Sequence, residues 1–431
     1  MTVILPELPM GKEFEEFISA YFQSSGLYVE RNIVDRDIEE ILELDVITTD
    51  YNQTPPLIKI LEIKSGKWGF PDVFKLRGWM DYLKFSSALL IVNNNKDHIE
   101  FIKEKSSTLS IDIAVVENLE ETATALFDFY PSEDINQADV MLWRFSYWTE
   151  KNLLRYLNQK KKAQKDRKSY WALEKYYNEI SNGLFFTESI VERVEKLYAS
   201  YREHPRISAQ CASEIVGGDF EDKNATIPTK VFSETFYTCV LNDLQISTFI
   251  EHRSRLALLK NAVDFKLYEN AGITSKTEGY YHESFGVKFN FLPHTFNVGL
   301  EQISTHKYFH RYAVFWQWFL YYFGGFILLD YESQEYELLS EKTGIPVDEI
   351  PKAFDAYQIL FPLEDGWFKT VSNSNIRFLK MFSVPFMGIG ANVRRLMYTE
   401  TGKFDDLKVT GLHTFNDLIK WNNLVVELLK R

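Results

Sequence analysis

Along the first 120 residues the apolar positions switch repeatedly between a helical and a strand period. From Gly11 to Gly26, Phe14, Phe17, Ile18, Tyr21 and Phe22 fall on one helical stripe, and Gly26 supplies the stop. "LYVERNIV" (Leu27–Val34) then reads as a strand. "ELDVITTDY" (Glu43–Tyr51) and "LIKILEIKSG" (Leu57–Gly66) read as two more, split by the turn sequence "NQTPP". A second amphipathic helix follows over Asp72–Ser87, entered after Pro71 with Asp72 near its positive end. "ALLIVNN" is a short buried strand, and a helix at about Asp97–Ser107 leads into the strand "IDIAVVEN". The predicted order is α-β-β-β-α-β, then α-β, which calls for a mixed sheet with helices on its faces.

The rest of the chain carries weaker signals. Residues 136–206 read as helical and aromatic, and 207–431 as an α+β region without an assignable fold. Within the latter, "EYELLSEKTGIPVDEIPKAFDAYQILFPLEDGWFKTV" gives a helix-turn-helix-like segment at about 334–371, with its turn at Gly344. A hairpin or wing is expected after its second helix. The charge-free stretch Ala313–Leu329 is at the short limit for a membrane span and is broken by Gly324-Gly325. It reads better as a buried helix running into a strand. Three parts are therefore expected: 1–125, 136–206 and 207–431.

Composition narrows the class. The 431 residues are 45% hydrophobic and 16% aromatic, enough for a large core. Two cysteines, Cys211 and Cys239, make no disulfide framework or zinc spacing, and "MTVILPELPMGKEFEEF" has no signal-peptide pattern. A soluble cytoplasmic protein is expected. The net charge of −13 argues against loose, high-affinity binding to nucleic acid, which needs cationic contacts to phosphate. It leaves room for an enzyme with a local basic patch, or for a partner protein that helps to hold an anionic substrate.

The chemistry gathers at one end of the middle hairpin. Pairing Asp45 with Glu62 centres the hairpin between Gln53 and Thr54, inside the turn sequence. With side chains alternating, Asp45, Ile47 and Thr49 then share a face with Ile58, Ile60, Glu62 and Lys64. The charges collect away from the turn: Asp45 opposite Glu62, with Lys64 one pleat beyond. Two carboxylates at a sheet end suit an oxygen-ligated divalent ion, and without one they would repel. A neighbouring lysine can orient or deprotonate water and neutralise charge growing on phosphate. The competing reading is a salt-bridged strand end worth under about 1 kcal/mol.

Asp45, Glu62-Ile63-Lys64 and the element order resemble the PD-(D/E)xK nuclease superfamily, and "MGKEFEEFISAYFQSSGLYVERNI" is similar to the first helix of its resolvase-like members. The resemblance covers about the first quarter of the chain. It departs from the family pattern at Leu44, where the name has Pro. It implies that Asp45, Glu62 and Glu15 are metal ligands, that the Ile63 carbonyl adds another, and that Lys64 handles the water. Helical geometry alone does not choose Glu15 over Glu13. The resemblance also implies a site-facing residue on the second helix, for which Lys75 and Arg77 both qualify. The implied activity is a magnesium-dependent endonuclease (Mg2+, with Mn2+ as substitute) acting on DNA, with RNA left open. Double-strand cutting would call for a homodimer. A nuclease head on a larger sensing or positioning region also looks like bacterial restriction and antiviral effectors.

Residues 151–168 carry eight basic residues against one acidic, and Lys160, Lys161, Lys162, Lys165, Arg167 and Lys168 are candidates for phosphate contact, with Trp143, Tyr147 and Trp148 as stacking candidates. A solvated helix face beside a packed aromatic stripe explains the same run. The alternative function is a non-catalytic nucleic-acid-binding or regulatory protein built on the helix-turn-helix-like segment. The second helix of that segment offers Asp348, Glu349 and one Lys352 near its start, a poor set for base edges. A packing or protein-interaction module fits it better.

Overall fold

The computed structural model describes residues 9–36, 38–118, 120–130, 135–163, 234–272, 294–361, 368–370 and 376–379, with Phe386, Ile389, Gly390 and Val393. The N-terminal elements come in the expected order: α1 (Lys12–Ser24), β1 (Tyr28–Arg36), β2 (Glu40–Asp50), β3 (Leu57–Lys64), α2 (Phe70–Leu83), β4 (Ala88–Val92), α3 (Ile99–Ser107) and β5 (Ile111–Val115). The strands form one sheet in the order β1-β2-β3-β4-β5. The first two pairings are antiparallel and the last two parallel. All five residues of β4 are buried, as expected of a strand with parallel neighbours on both sides and helices over both faces.

The β2-β3 register is the one expected. Val46 pairs with Leu61, Ile47 with Ile60 and Asp50 with Leu57, so Asp45 and Glu62 stand one step past the last ladder pair. There the strands part, and the Asp45 carboxylate accepts the Ile63 N–H at 2.8 Å.

After α4 (Thr122–Leu126), the long helix α5 (Gln137–Ala163) packs across α1. α6 (Glu234–Asn270), α7 (His294–Ser304) and α8 (Tyr312–Tyr321) follow; α8 is buried from Tyr312 through Leu320 and leads into β6 (Phe326–Leu328). This is the buried helix-to-strand reading of that charge-free stretch. Among the described residues, no helix is long and apolar enough to cross a membrane.

Next come α9 (Glu332–Thr343), α10 (Ile350–Leu360), β7 (Phe368–Thr370) and β8 (Ile376–Leu379), and the three short strands pair antiparallel in the order β6-β8-β7. Helix-strand-helix-helix-strand-strand with the first strand beside the last is a winged-helix-like arrangement. Its last helix, α10, the second of the helix-turn-helix-like segment, exposes Pro351, Lys352, Asp355 and Gln358, and Lys352 is spent on Glu349 at 2.9 Å. α7 lies against it so closely that a Cβ on Gly299 would come within 2.9 Å of Ile359 Cγ2 and 3.0 Å of its carbonyl oxygen. α10 is thus built to pack.

The two regions share one apolar cluster that runs from α1 and the sheet into α5, α6 and α8. Gln317 of α8 shows how they join. Its amide accepts the Val29 N–H at 3.2 Å and donates to the Val29 carbonyl at 2.8 Å. Val29 belongs to the edge strand β1, so a side chain satisfies backbone groups that would otherwise invite another strand.

Candidate active site

Three elements deliver the candidate residues. Gly11, at a left-handed φ of 57°, opens α1, and its N–H donates to Ser65 Oγ at 2.5 Å. That bond pins the start of α1 beside the end of β3 and brings Glu15 toward Lys64. β2 supplies Asp45, β3 supplies Glu62 and Lys64, and α2 reaches in with Lys75.

Glu62 is 1% exposed. Its Oε1 takes Lys64 Nζ at 2.5 Å and Lys75 Nζ at 3.2 Å, while Oε2 is buried without a hydrogen-bond partner. A buried carboxylate oxygen left bare costs about 1–3 kcal/mol or more, so it is an anomaly that a ligand would relieve.

The Asp45 carboxyl is pushed up to about 7, first by burial and then by the charge of Glu62, with Glu15 adding to the rise; the Ile63 N–H and Lys64 pull the other way. Glu15 is raised as well, mainly by burial, against the pull of Lys12 and Lys64. Burial works against the charge on Lys64, but the hydrogen bond and charge of Glu62, with Asp45 and Asp72 behind it, outweigh it and raise its pKa. Lys64 is therefore held protonated. It is set up to donate and to neutralise, and poorly suited to accept a proton.

The structure separates the two α2 candidates. Lys75 reaches Glu62 and also sits over the Trp79 ring at 4.1 Å. Arg77 turns away to Asp81 at 2.6 Å and to the Leu109 carbonyl at 3.1 Å. Of the basic run, Lys162 is exposed and lines a cleft that Glu15 and Asp45 also line. Lys160 and Lys161 lie on α5, and Lys165, Arg167 and Lys168 lie outside the described residues. Trp143 is 1% exposed, its ring 5.2 Å from that of Trp318, and is core rather than a stacking platform. Tyr147 is also buried, with the Arg31 guanidinium 3.6 Å above its ring.

The cleft measures about 610 Å3. Its sheet side includes Arg31, Glu43 and Asp45, and its opposite wall is the α5 face that carries Lys151, Arg155, Asn158, Gln159 and Lys162. Four of these five were not singled out from sequence; their spacing on one helix face was the available signal.

Among the described residues no three His, Cys, Asp or Glu side chains form a ready-made metal cage. Magnesium does not ask for one, since it is usually held by one or two carboxylates with waters and phosphate completing the shell. The bare Glu62 oxygen and the strained Asp45 carboxyl fit that demand.

The shifts make a prediction. An acid whose pKa is higher in the folded state holds its proton more tightly there. Its stabilising contribution is complete below the ordinary value of 3.8 and is lost as pH rises through about 7. Without added metal, Asp45→Asn, which keeps an acceptor for the Ile63 N–H, should gain stability over wild type as pH climbs from 4 to 8, by up to roughly a few kcal/mol. Paired thermal melts across that range test it. A difference that stays flat with pH would mean that Asp45 is not strained.

No protein-family model, curated protein or solved structure matches this chain.

Proposed function

We propose that the protein is a metal-dependent nuclease that hydrolyses phosphodiester bonds, most simply of DNA, with magnesium as its ion and manganese as a substitute. The observation that carries the reading is Glu62: wholly buried, one oxygen braced by two lysines and the other bare, beside an aspartate that burial and Glu62 itself drive toward protonation. A structural ion pair has no need of the second carboxyl group.

Glu62 and Asp45 would hold the ion, and the PD-(D/E)xK resemblance adds the Ile63 carbonyl and Glu15. When bound, a divalent ion polarises water and phosphate oxygens. Lys64, kept protonated, would orient the attacking water and neutralise charge that grows on the phosphate in the transition state. Lys75 would keep the Glu62 carboxylate fixed while Lys64 engages substrate. The larger helical region would sense or position the substrate, in keeping with a cytoplasmic restriction or antiviral effector.

The test is cleavage of plasmid DNA, single-stranded DNA and RNA with magnesium, manganese or EDTA. Cutting that requires metal and stops with EDTA is expected. An absence of cutting on every substrate, together with no calorimetric binding of manganese, would sink the proposal.

A further inference from the structure

We propose that the cleft between α1, the β1-β2 edge and α5 seats a single polynucleotide strand, with Arg155, Gln159 and Lys162 following its phosphates. The inference rests on the nuclease reading of Asp45 and Glu62, and names the form of substrate that this site takes.

Spacing is the first argument. Lys151, Arg155, Asn158, Gln159 and Lys162 recur at intervals that keep them on one face of α5, and all five line the cleft that Asp45 lines from the other side. From Lys151 to Lys162 the helix rises about 16 Å. That length serves roughly three to five consecutive phosphates of one strand.

Charge is the second. Lys151 is already paired with Glu16 at 3.2 Å, and Glu150 is paired with Arg253. Arg155 and Lys162 are exposed and have no carboxylate partner among the described residues. Lys12 of α1 and Arg31, which lies over the Tyr147 ring, line the cleft as well, so α5 supplies two of its cations that have no carboxylate partner among the described residues. The carboxylates across from them are Glu15, Glu43 and Asp45. A polyanion is therefore anchored by Arg155 and Lys162, and its approach to Glu15, Glu43 and Asp45 would call for a divalent ion held there to offset their charge.

Size favours one strand over two. A volume of about 610 Å3 lies in the range of small-molecule pockets, about 300–1,000 Å3. A duplex, wider than its own major groove of about 12 Å, would rest across the mouth of such a space, whereas one strand can lie within it. Asn158, whose amide can donate and accept, suits the Watson–Crick base edges that only an unpaired strand exposes. Tyr147, the one aromatic ring on the cleft wall among the described residues, is covered by Arg31, so contacts to backbone dominate and sequence preference should be slight.

The experiment uses the full chain with labelled oligo-dT, oligo-U and a duplex of equal length, followed by anisotropy in calcium or EDTA over a salt series. Wild type should bind at least one of the single strands about tenfold or more tighter than duplex. The double variant Arg155→Ala/Lys162→Ala should lose about tenfold in affinity, and its salt slope should shrink by about 1.4, which is two phosphate contacts at about 0.7 each. KM for cleavage should rise while kcat stays within about twofold, and Arg155→Lys/Lys162→Arg should restore binding. Both substituted side chains are exposed, and melting points equal to wild type confirm intact folding. Duplex preference, or a double variant that binds like wild type, overturns the inference. The two ideas can fail separately. Strand binding through α5 with neither cleavage nor manganese binding would refute the nuclease and keep the strand site; metal-dependent cleavage with an unchanged KM in the double variant would do the reverse.

Discussion

Asp45→Asn should abolish metal-dependent cleavage, a loss of roughly 10²–10³-fold or more, and leave the protein at least as stable as wild type at pH 8. The two halves of this result have one cause. Asp45 is buried beside Glu62 and within the field of Glu15, and its carboxyl is driven up to about 7. Ionised, it stores repulsion in the folded state. Removing its charge releases that repulsion, while the amide still accepts the Ile63 N–H that Asp45 now takes at 2.8 Å. Lys64→Met should be equally inactive but less stable, because the buried Glu62 then keeps only Lys75, at 3.2 Å. Neighbouring residues that move stability in opposite directions and activity in the same direction are hard to reconcile with an inert salt bridge at a strand end. Cleavage assays and chemical denaturation of both variants read the result. Full activity in Asp45→Asn would rule this aspartate out as a metal ligand.

The N-terminal sheet could be read from sequence because each of its signals is local. Alternation in β2 and β3, the turn between them and the glycine stop after α1 fixed the order, and the hairpin's own symmetry fixed the register that sets Asp45 beside Glu62. The choice of Lys75 over Arg77 was not local. Both lie on α2, and it is the position of α2 against β3, together with the Leu109 carbonyl that captures Arg77, that separates them. β6, β7 and β8 hold three or four residues each, too few to display a period, so a strand after α8 and a hairpin after α10 were legible but not their pairing in one sheet. α6 hid for another reason. Leu256, Leu258, Leu259, Ala262, Val263 and Phe265 are all buried, so the helix is wrapped on several sides and has no single apolar stripe. The α5 wall of the cleft looked like a run of charge until packing on α1 gave it a direction.

Lys260 shows how far this hiding can go, and supplies the largest expected stability effect. At four-residue spacing from Asp264 it reads as an ordinary solvated pair, yet the side chains are 1% and 0% exposed. Lys260 Nζ lies 2.8 Å from Asp264 Oδ2 and 3.2 Å from Glu30 Oε2 on β1, while Tyr51, at the end of β2, donates its hydroxyl to Asp264 Oδ1 at 2.6 Å. Tyr268, one turn further along α6, donates to the Pro56 carbonyl at 3.1 Å. This network fastens α6 to the sheet that carries Asp45 and Glu62. Lys260→Met would leave the carboxylates of Asp264 and Glu30 facing one another without their cation, at a cost of about 3–5 kcal/mol. That is a large part of the about 5–15 kcal/mol that holds a typical domain together. Lys260→Met/Asp264→Leu should recover much of the loss, since a buried pair replaced whole by apolar groups is often neutral, and the remainder measures what Tyr51 and Glu30 lose. Urea unfolding of the two single variants and the double variant gives the coupling. A single-variant cost below about 1 kcal/mol would mean that water reaches the pair, and that α6 does not clamp the sheet that carries Asp45 and Glu62.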